Sequence, residues 1–201
     1  MIVIVDYGMG NLGSIKNMVK KIGYDAIISS DPSDLLSAKK IILPGVGSFD
    51  NGVKNLDELG LKKIIIDLVE TKQVQILGIC LGMQLLGKTS DEGSLEGLGL
   101  IDGQVRKFDN NQIRVPHMGW NTVNLKKKSH LFKDMYNQEN RFYFVHSYYF
   151  ECNDEEDILT TTTYQKDFVS SLHKENIYGT QFHPEKSHKF GMSLLNNFLR
   201  G

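Results

Sequence analysis

The sequence predicts an α/β protein of three layers: a central, mostly parallel sheet with helices on both faces, and an additional β-rich segment. Three observations predict it. Short apolar runs alternate with amphipathic helical runs over the first 90 residues, the pattern of consecutive βαβ units. The remainder is rich in β-branched and aromatic runs with few helical stretches between them. Where the two parts meet, an apolar run ends in Gly78-Ile79-Cys80-Leu81-Gly82 and passes into a helix-forming run, which marks a strand, a sharp turn and a helix.

Taken in order, Ile2 to Val5 is a short apolar run suited to a buried parallel strand. Leu12, Ile15, Val19 and Ile22 then recur at helical spacing, and Gly23 sits where a helix C-cap glycine belongs. Ala26 to Ile28 reads as the second strand. Asp31 is a natural N-cap for a short helix with Pro32 in its first position. Ile41 to Leu43 forms the third strand and stops at Pro44-Gly45-Val46-Gly47. Two helices follow, Asp50 to Leu59 and Leu61 to Thr71, and then the strand that feeds Cys80. Beyond it, Gln104 to Phe108, Asn121 to Leu125, Arg141 to Phe150, Ile158 to Tyr164, Phe168 to His173 and Ile177 to Phe182 read as strands. Met192 to Leu199 is a closing amphipathic helix. With no repeat or linker in view, residues 1–201 are expected to form a single domain.

Composition removes several classes of function. A net charge of −1 makes no electrostatic case for nucleic acid or an acidic membrane surface. Lys126-Lys127-Lys128 reads as a solvated turn. No apolar run approaches the roughly 20 residues needed to span a bilayer. Met1 to Asp6 lacks a basic start and a cleavage site, so a cytoplasmic protein is expected. The two cysteines, Cys80 and Cys152, stand in unlike surroundings. No disulfide framework, zinc site, metal or cofactor is expected.

Gly8-Met9-Gly10-Asn11-Leu12-Gly13 matches a dinucleotide fingerprint, with Asp31 near the place of a ribose-binding acid. Asp6 at the strand end would oppose a pyrophosphate, however, and Asp31 is better explained as a helix cap. The preferred reading is a glycine-rich loop that approaches a substrate or partner closely. Cys80 has a bland alternative as a small buried hydrophobe. The flanking glycines and the strand-to-helix switch favour a nucleophile, with the thiolate stabilised by the free N–H groups of the helix start. A thiol nucleophile needs an imidazole base and a group to orient it. His183 sits past a strand end in Gln181-Phe182-His183-Pro184-Glu185, with the Glu185 carboxylate two residues on. The oxyanion formed on attack would take the Leu81 amide and a second donor from the loop after the third strand, at Val46 or Gly47.

Gly78-Ile-Cys-Leu-Gly-Met-Gln84 together with Gln181-Phe-His-Pro-Glu185 resembles the class I (triad) glutamine amidotransferases, whose flavodoxin-like, three-layer fold is then expected. The resemblance implies hydrolysis of L-glutamine through Cys80, His183 and Glu185, with Gln84, Glu92, Ser147 and Tyr148 around the substrate. In the family, the loop matched here by Pro44–Gly47 is thought to need a peptide flip. Asp6-Tyr-Gly-Met-Gly-Asn-Leu12, Pro44-Gly-Val-Gly47 and Pro116-His-Met-Gly-Trp-Asn121 narrow the likeness to members that pass ammonia to a (β/α)8-barrel cyclase or synthase subunit as a heterodimer.

That narrower likeness places Asn11, Pro116, Met118, Trp120 and Lys186 at the interface. Read as an apolar Met-Gly-Trp in a loop, 118–120 fits a binding surface, against the alternative of a buried core tryptophan. Tyr143 and His146 read as core packing. Three other functions stay open: a nitrogen donor for a surface-sugar synthase, a stand-alone thiol hydrolase, and a dinucleotide- or redox-sensing module.

Overall fold

The computed structural model describes residues 1–109, 111, 114–136, 138–164 and 166–201. The chain begins with β1 (Ile2–Val5), α1 (Leu12–Lys21), β2 (Ile27–Ser29), α2 (Pro32–Leu36), β3 (Lys40–Leu43), α3 (Phe49–Glu58), α4 (Leu61–Glu70), β4 (Gln75–Ile79) and α5 (Leu81–Leu85). It continues with β5 (Thr89–Ser90), β6 (Gly103–Lys107), β7 (His117–Thr122), β8 (Asn124–Leu125), β9 (Arg141–His146), β10 (Tyr148–Cys152), β11 (Ile158–Tyr164), β12 (Lys166–Lys174), β13 (Ile177–Thr180) and α6 (His188–Arg200).

Five strands form a parallel block in the order β2-β1-β3-β4-β13. The sheet then turns antiparallel through β12, β10 and β6, with β11 and β8 branching from β12. Alternation along each parallel strand sends side chains to opposite layers. Val3, Val5, Ile41, Leu43 and Ile76 pack with Leu56, Ile65 and Leu68 of α3 and α4. Ile4, Ile42, Leu77 and Ile79 pack with Ile15 and Val19 of α1 and Leu194, Leu195 and Phe198 of α6. β4 is buried on both faces, which is why its sequence is a plain apolar run.

Local chemistry sets the helix ends. Asp31 accepts a bond from Ser33 N (2.8 Å) with Pro32 in the first turn. Gly23, at φ +92°, follows α1 as a helix-ending glycine.

Three expectations are corrected. Met118-Gly119-Trp120 is not a loop: it lies in β7, which pairs antiparallel with β9, Trp120 opposite Tyr143. The single strand expected over Asn121–Leu125 is accordingly split, because β7 pairs with β9 while β8 pairs with β11. The strand expected over Arg141–Phe150 likewise breaks at Ser147, where the chain leaves the two-stranded ribbon and enters the main sheet. Pairing partners, which lie far apart in sequence, impose both breaks.

Candidate active site

The C-terminal ends of β4 and β13 lie side by side and place Cys80 next to the segment Gln181–Glu185. Cys80 holds φ +55° and ψ −108°, a conformation that costs a side-chain-bearing residue about 1–3 kcal/mol. Its surroundings impose it. Cys80 N donates to Thr180 O (2.7 Å). A Cβ on Gly82 would stand 1.8 Å from Leu43 O, and one on Gly78 would stand 2.6 Å from Gly82 O. The helix that begins here, α5, has only five residues, so the help available to a thiolate is local N–H groups rather than a long helix dipole.

The side chains of His183 and Glu185 are both buried, and Nδ1 of His183 is 2.7 Å from Glu185 Oε1. Nε2 of His183 is enclosed on the Cys80 side without a closed hydrogen bond. Burial alone would lower the pKa of this imidazole. The interactions with Cys80 and Glu185 outweigh burial and raise it to about 10. The arrangement therefore favours a protonated imidazole facing sulfur. The sulfur also lies 3.7 Å from Gln181 Nε2 and 3.9 Å from Val145 O.

A cleft of about 280 Å³ opens over the sulfur. It brings together Cys80, Val46, Gly47, Leu81, Gln84, Glu92, Ser147 and Tyr148, drawn from four separate parts of the chain. Gln84, one turn beyond Cys80, donates from Nε2 to Tyr148 O (3.2 Å) and Gln181 Oε1 (3.0 Å). Glu92 is more than a loop charge: its Oε2 accepts Phe49 N (2.8 Å) and so caps α3, for which Ser48 supplies no side-chain cap. Pro116, expected at a partner interface, also lines this cleft.

The Pro44–Gly47 loop approaches from the third strand. Tyr7, buried, donates its hydroxyl to Pro44 O (2.5 Å). Burial, with the nearby Cys80 charge adding to it, pushes the Tyr7 phenol well above its ordinary range, so it stays a donor. Leu81 N donates to Gly45 O (3.3 Å). One N–H expected in an oxyanion site is therefore occupied by a carbonyl of this loop. Rotation of the Gly45–Val46 peptide would remove that carbonyl and turn the Val46 N–H inward.

Met118 (61 % exposed) and Trp120 (41 %) stand on the surface, so the buried-core reading of Trp120 does not hold. Trp120 stacks on His188 at 5.6 Å and meets Tyr143 edge-on. Lys186 is exposed, its Nζ 5.8 Å from the Tyr143 ring centre, so it belongs to the same surface. Asn11 is exposed and caps α1 through Ser14 N.

Sequence reasoning attached no role to Gln181, His117 or Tyr7. His117 Nδ1 lies 3.0 Å from His146 Nε2, and its ring stacks between Phe144 and Tyr164. Burial lowers the pKa of His117 to about 4 and that of His146 to about 3. His117 and Gln181 stand inside motifs noticed in the sequence, but their spacing carries no sign of the contacts they make.

The sequence profile of the glutamine amidotransferase class-I family matches residues 3–201. The chain is 56 % identical to the imidazole glycerol phosphate synthase subunit HisH 2 of Methanococcus maripaludis, over 100 % of this chain and 99 % of that one. It is 45 % identical to subunit HisH of the same synthase from Leptospira borgpetersenii, over 98 % of both chains. Among solved structures, a glutamine amidotransferase superposes with a TM-score of 0.78 at 19 % identity, covering 100 % of this chain and 98 % of the other. PurLQS from Thermotoga maritima superposes with a TM-score of 0.75 at 15 % identity, covering 99 % and 97 %. These two likenesses concern the fold.

Proposed function

The chain belongs to the class-I glutamine amidotransferases, and from that premise we propose that it is the glutaminase subunit of an imidazole glycerol phosphate synthase, of histidine biosynthesis. The observation that carries the residue assignment is the buried Glu185–His183 pair on the Cys80 side of a cleft that also holds Gln84 and Glu92.

Cys80, as thiolate, attacks the side-chain amide carbon of glutamine. The tetrahedral oxyanion is held by the Leu81 N–H, once Gly45 O has turned away, and by the N–H of Val46 or Gly47. The protonated His183 gives its proton to the departing nitrogen, the C–N bond breaks, ammonia leaves, and a glutamyl thioester remains on Cys80. The neutral imidazole then takes a proton from water. The resulting hydroxide displaces sulfur, and glutamate is released with the thiolate restored. Glu185 keeps Nδ1 protonated and the ring in place throughout. The Glu92 carboxylate and Gln84 lie where the α-amino and α-carboxylate end of the substrate would rest, with the Ser147-Tyr148 backbone beside them.

Ammonia loses its nucleophilicity when protonated in water, so a route into a (β/α)8-barrel cyclase partner suits the reaction. The exposed Met118 and Trp120, with Asn11, Pro116 and Lys186, form the proposed docking surface. Among the described residues, no helix is long and apolar enough to cross a membrane.

The test is glutamate release by the purified chain, alone and with the cyclase barrel subunit. Low release alone and a large rise with the cyclase support the reading. Steady release unchanged by the cyclase favours a stand-alone thiol hydrolase. A rise only with a sugar-aminating synthase moves the chain to that pathway.

A further inference from the structure

Beside the thiol lies a chain of buried polar contacts whose direction can be worked out atom by atom. A backbone carbonyl can only accept. Tyr148 O is 2.7 Å from His146 Nδ1 and 3.2 Å from Gln84 Nε2, so both of these nitrogens donate to it. With Nδ1 protonated and the ring neutral, His146 Nε2 accepts from His117 Nδ1 (3.0 Å), whose Nε2 in turn accepts from Asn121 Nδ2 (3.3 Å). In the other direction, the Gln84 amide nitrogen has a second hydrogen, directed at Gln181 Oε1 (3.0 Å). The Gln181 amide is thereby oriented with its NH2 group toward Cys80, Nε2 standing 3.7 Å from Sγ. Gln181 is fully buried, and its backbone N is bonded to Ser170 O (2.9 Å), so the side chain has little freedom to turn.

We propose that Gln181 is a positioning residue of the nucleophile, donating an N–H to the Cys80 sulfur in an orientation enforced by Gln84 and Tyr148 O. The bond strengthens when sulfur carries negative charge. It also counters Val145 O, 3.9 Å away, which accepts the S–H of the neutral thiol and opposes the thiolate. His183 supplies the proton partner and Gln181 a fixed donor that does not exchange its proton in the reaction. This inference rests on the reading of Cys80 as nucleophile.

The experiment is carboxamidomethylation of the full-length protein by iodoacetamide, without glutamine, read at each cysteine by peptide mass spectrometry with Cys152 as internal control. Gln181→Met preserves bulk and removes the donor. Cys80 should then label about tenfold more slowly at neutral pH, the scale of one hydrogen bond to a charged group. The difference should close at strongly alkaline pH, where the thiolate is complete without help. Gln84→Met, which frees the Gln181 amide to turn, should slow labelling several-fold. Should Gln181→Met fail to fold, Gln84→Met decides.

Equal labelling of parent and variant at neutral pH overturns the proposal. So does a slowing that persists undiminished at high pH, because that marks altered access. If Cys80 in the parent labels no faster than Cys152, the nucleophile reading itself fails.

Discussion

The two segments that would act on one carbonyl group are built in opposite ways. The Gly78–Gly82 elbow is confined on every side: added Cβ atoms at Gly78 and Gly82 meet backbone at 2.6 and 1.8 Å, and Cys80 N is bonded across to β13. The Pro44–Gly47 loop is held over its buried first half, where Pro44 O takes the Tyr7 hydroxyl and Gly45 O the Leu81 N–H, and is open over its second half, with Val46 54 % exposed and Gly47 at φ +137°. A Cβ on Gly47 would meet only the flexible end of Met9, at 2.3 Å. The proposed nucleophile is thus preset by packing, while the proposed oxyanion donors depend on a peptide whose carbonyl presently occupies Leu81 N. A site built this way holds its thiol ready and leaves the step that stabilises charge to a change in an exposed loop.

Five substitutions and one titration would break or sharpen that contrast. The largest effect is expected from Cys80→Ala. Glutamate release with the cyclase present should fall by roughly 10⁴-fold or more, with the fold intact by circular dichroism. Measurable turnover by this variant would remove the elbow's role. Next, Gly82→Ala drives a Cβ into Leu43 O and should cost about 3 kcal/mol or more in urea unfolding. Gly47→Ala meets a movable side chain and a strained φ, and should cost about 1–2 kcal/mol. Equal losses at the two glycines would mean that the loop is as rigid as the elbow.

The buried imidazoles titrate in opposite senses. His183, raised to about 10, contributes stability that is fully present below 6.5 and is lost as pH rises through about 10. His117 and His146, lowered to about 4 and about 3, contribute stability that is present above 6.5 and is lost as pH falls toward those values. Urea midpoints across pH 3 to 11 should show both limbs. His183→Ala should flatten the alkaline limb and leave the acid limb, and the reverse outcome would misplace the charge at the site. The smallest effect on stability belongs to Trp120→Ala, within about 0.5 kcal/mol, because the indole is already exposed. Calorimetry should show its loss in affinity for the cyclase barrel, on the order of 2 kcal/mol or more for a hot-spot tryptophan.

The parallel half of the fold was legible because its inner strands are buried on both faces, its longer helices carry periodic apolar residues, and α1 and α2 have capping residues next to them in sequence. Ile2–Val5, Asp31-Pro32 and Gly23 each stand in the structure where local pattern puts them. The second half was read with strands in nearly the right places but wrongly divided at Ser147 and around Trp120. Sheet pairing decides such breaks, and the paired residues of β7 and β9 lie about 20 to 30 positions apart in sequence, from Thr122–Arg141 to His117–His146. In the site, Cys80, His183 and Glu185 were legible as motifs. Glu92 as the cap of α3, Pro116 in the cleft wall and the Gly45 carbonyl on Leu81 N were not, because each depends on contact between remote segments.

By itself, then, the sequence determined which residues are proposed to carry chemistry and which short segments surround them. Glycine spacing, a histidine past a strand end and apolar periodicity are all local properties. Tertiary structure alone decided what those groups face. β13 lies in register beside β4, Thr180 opposite Ile79, and this pairing brings His183 and the Gln181 amide to the sulfur. It decided also that the elbow is closed while the loop opens at Val46 and Gly47, since that depends on the atoms packed around each glycine.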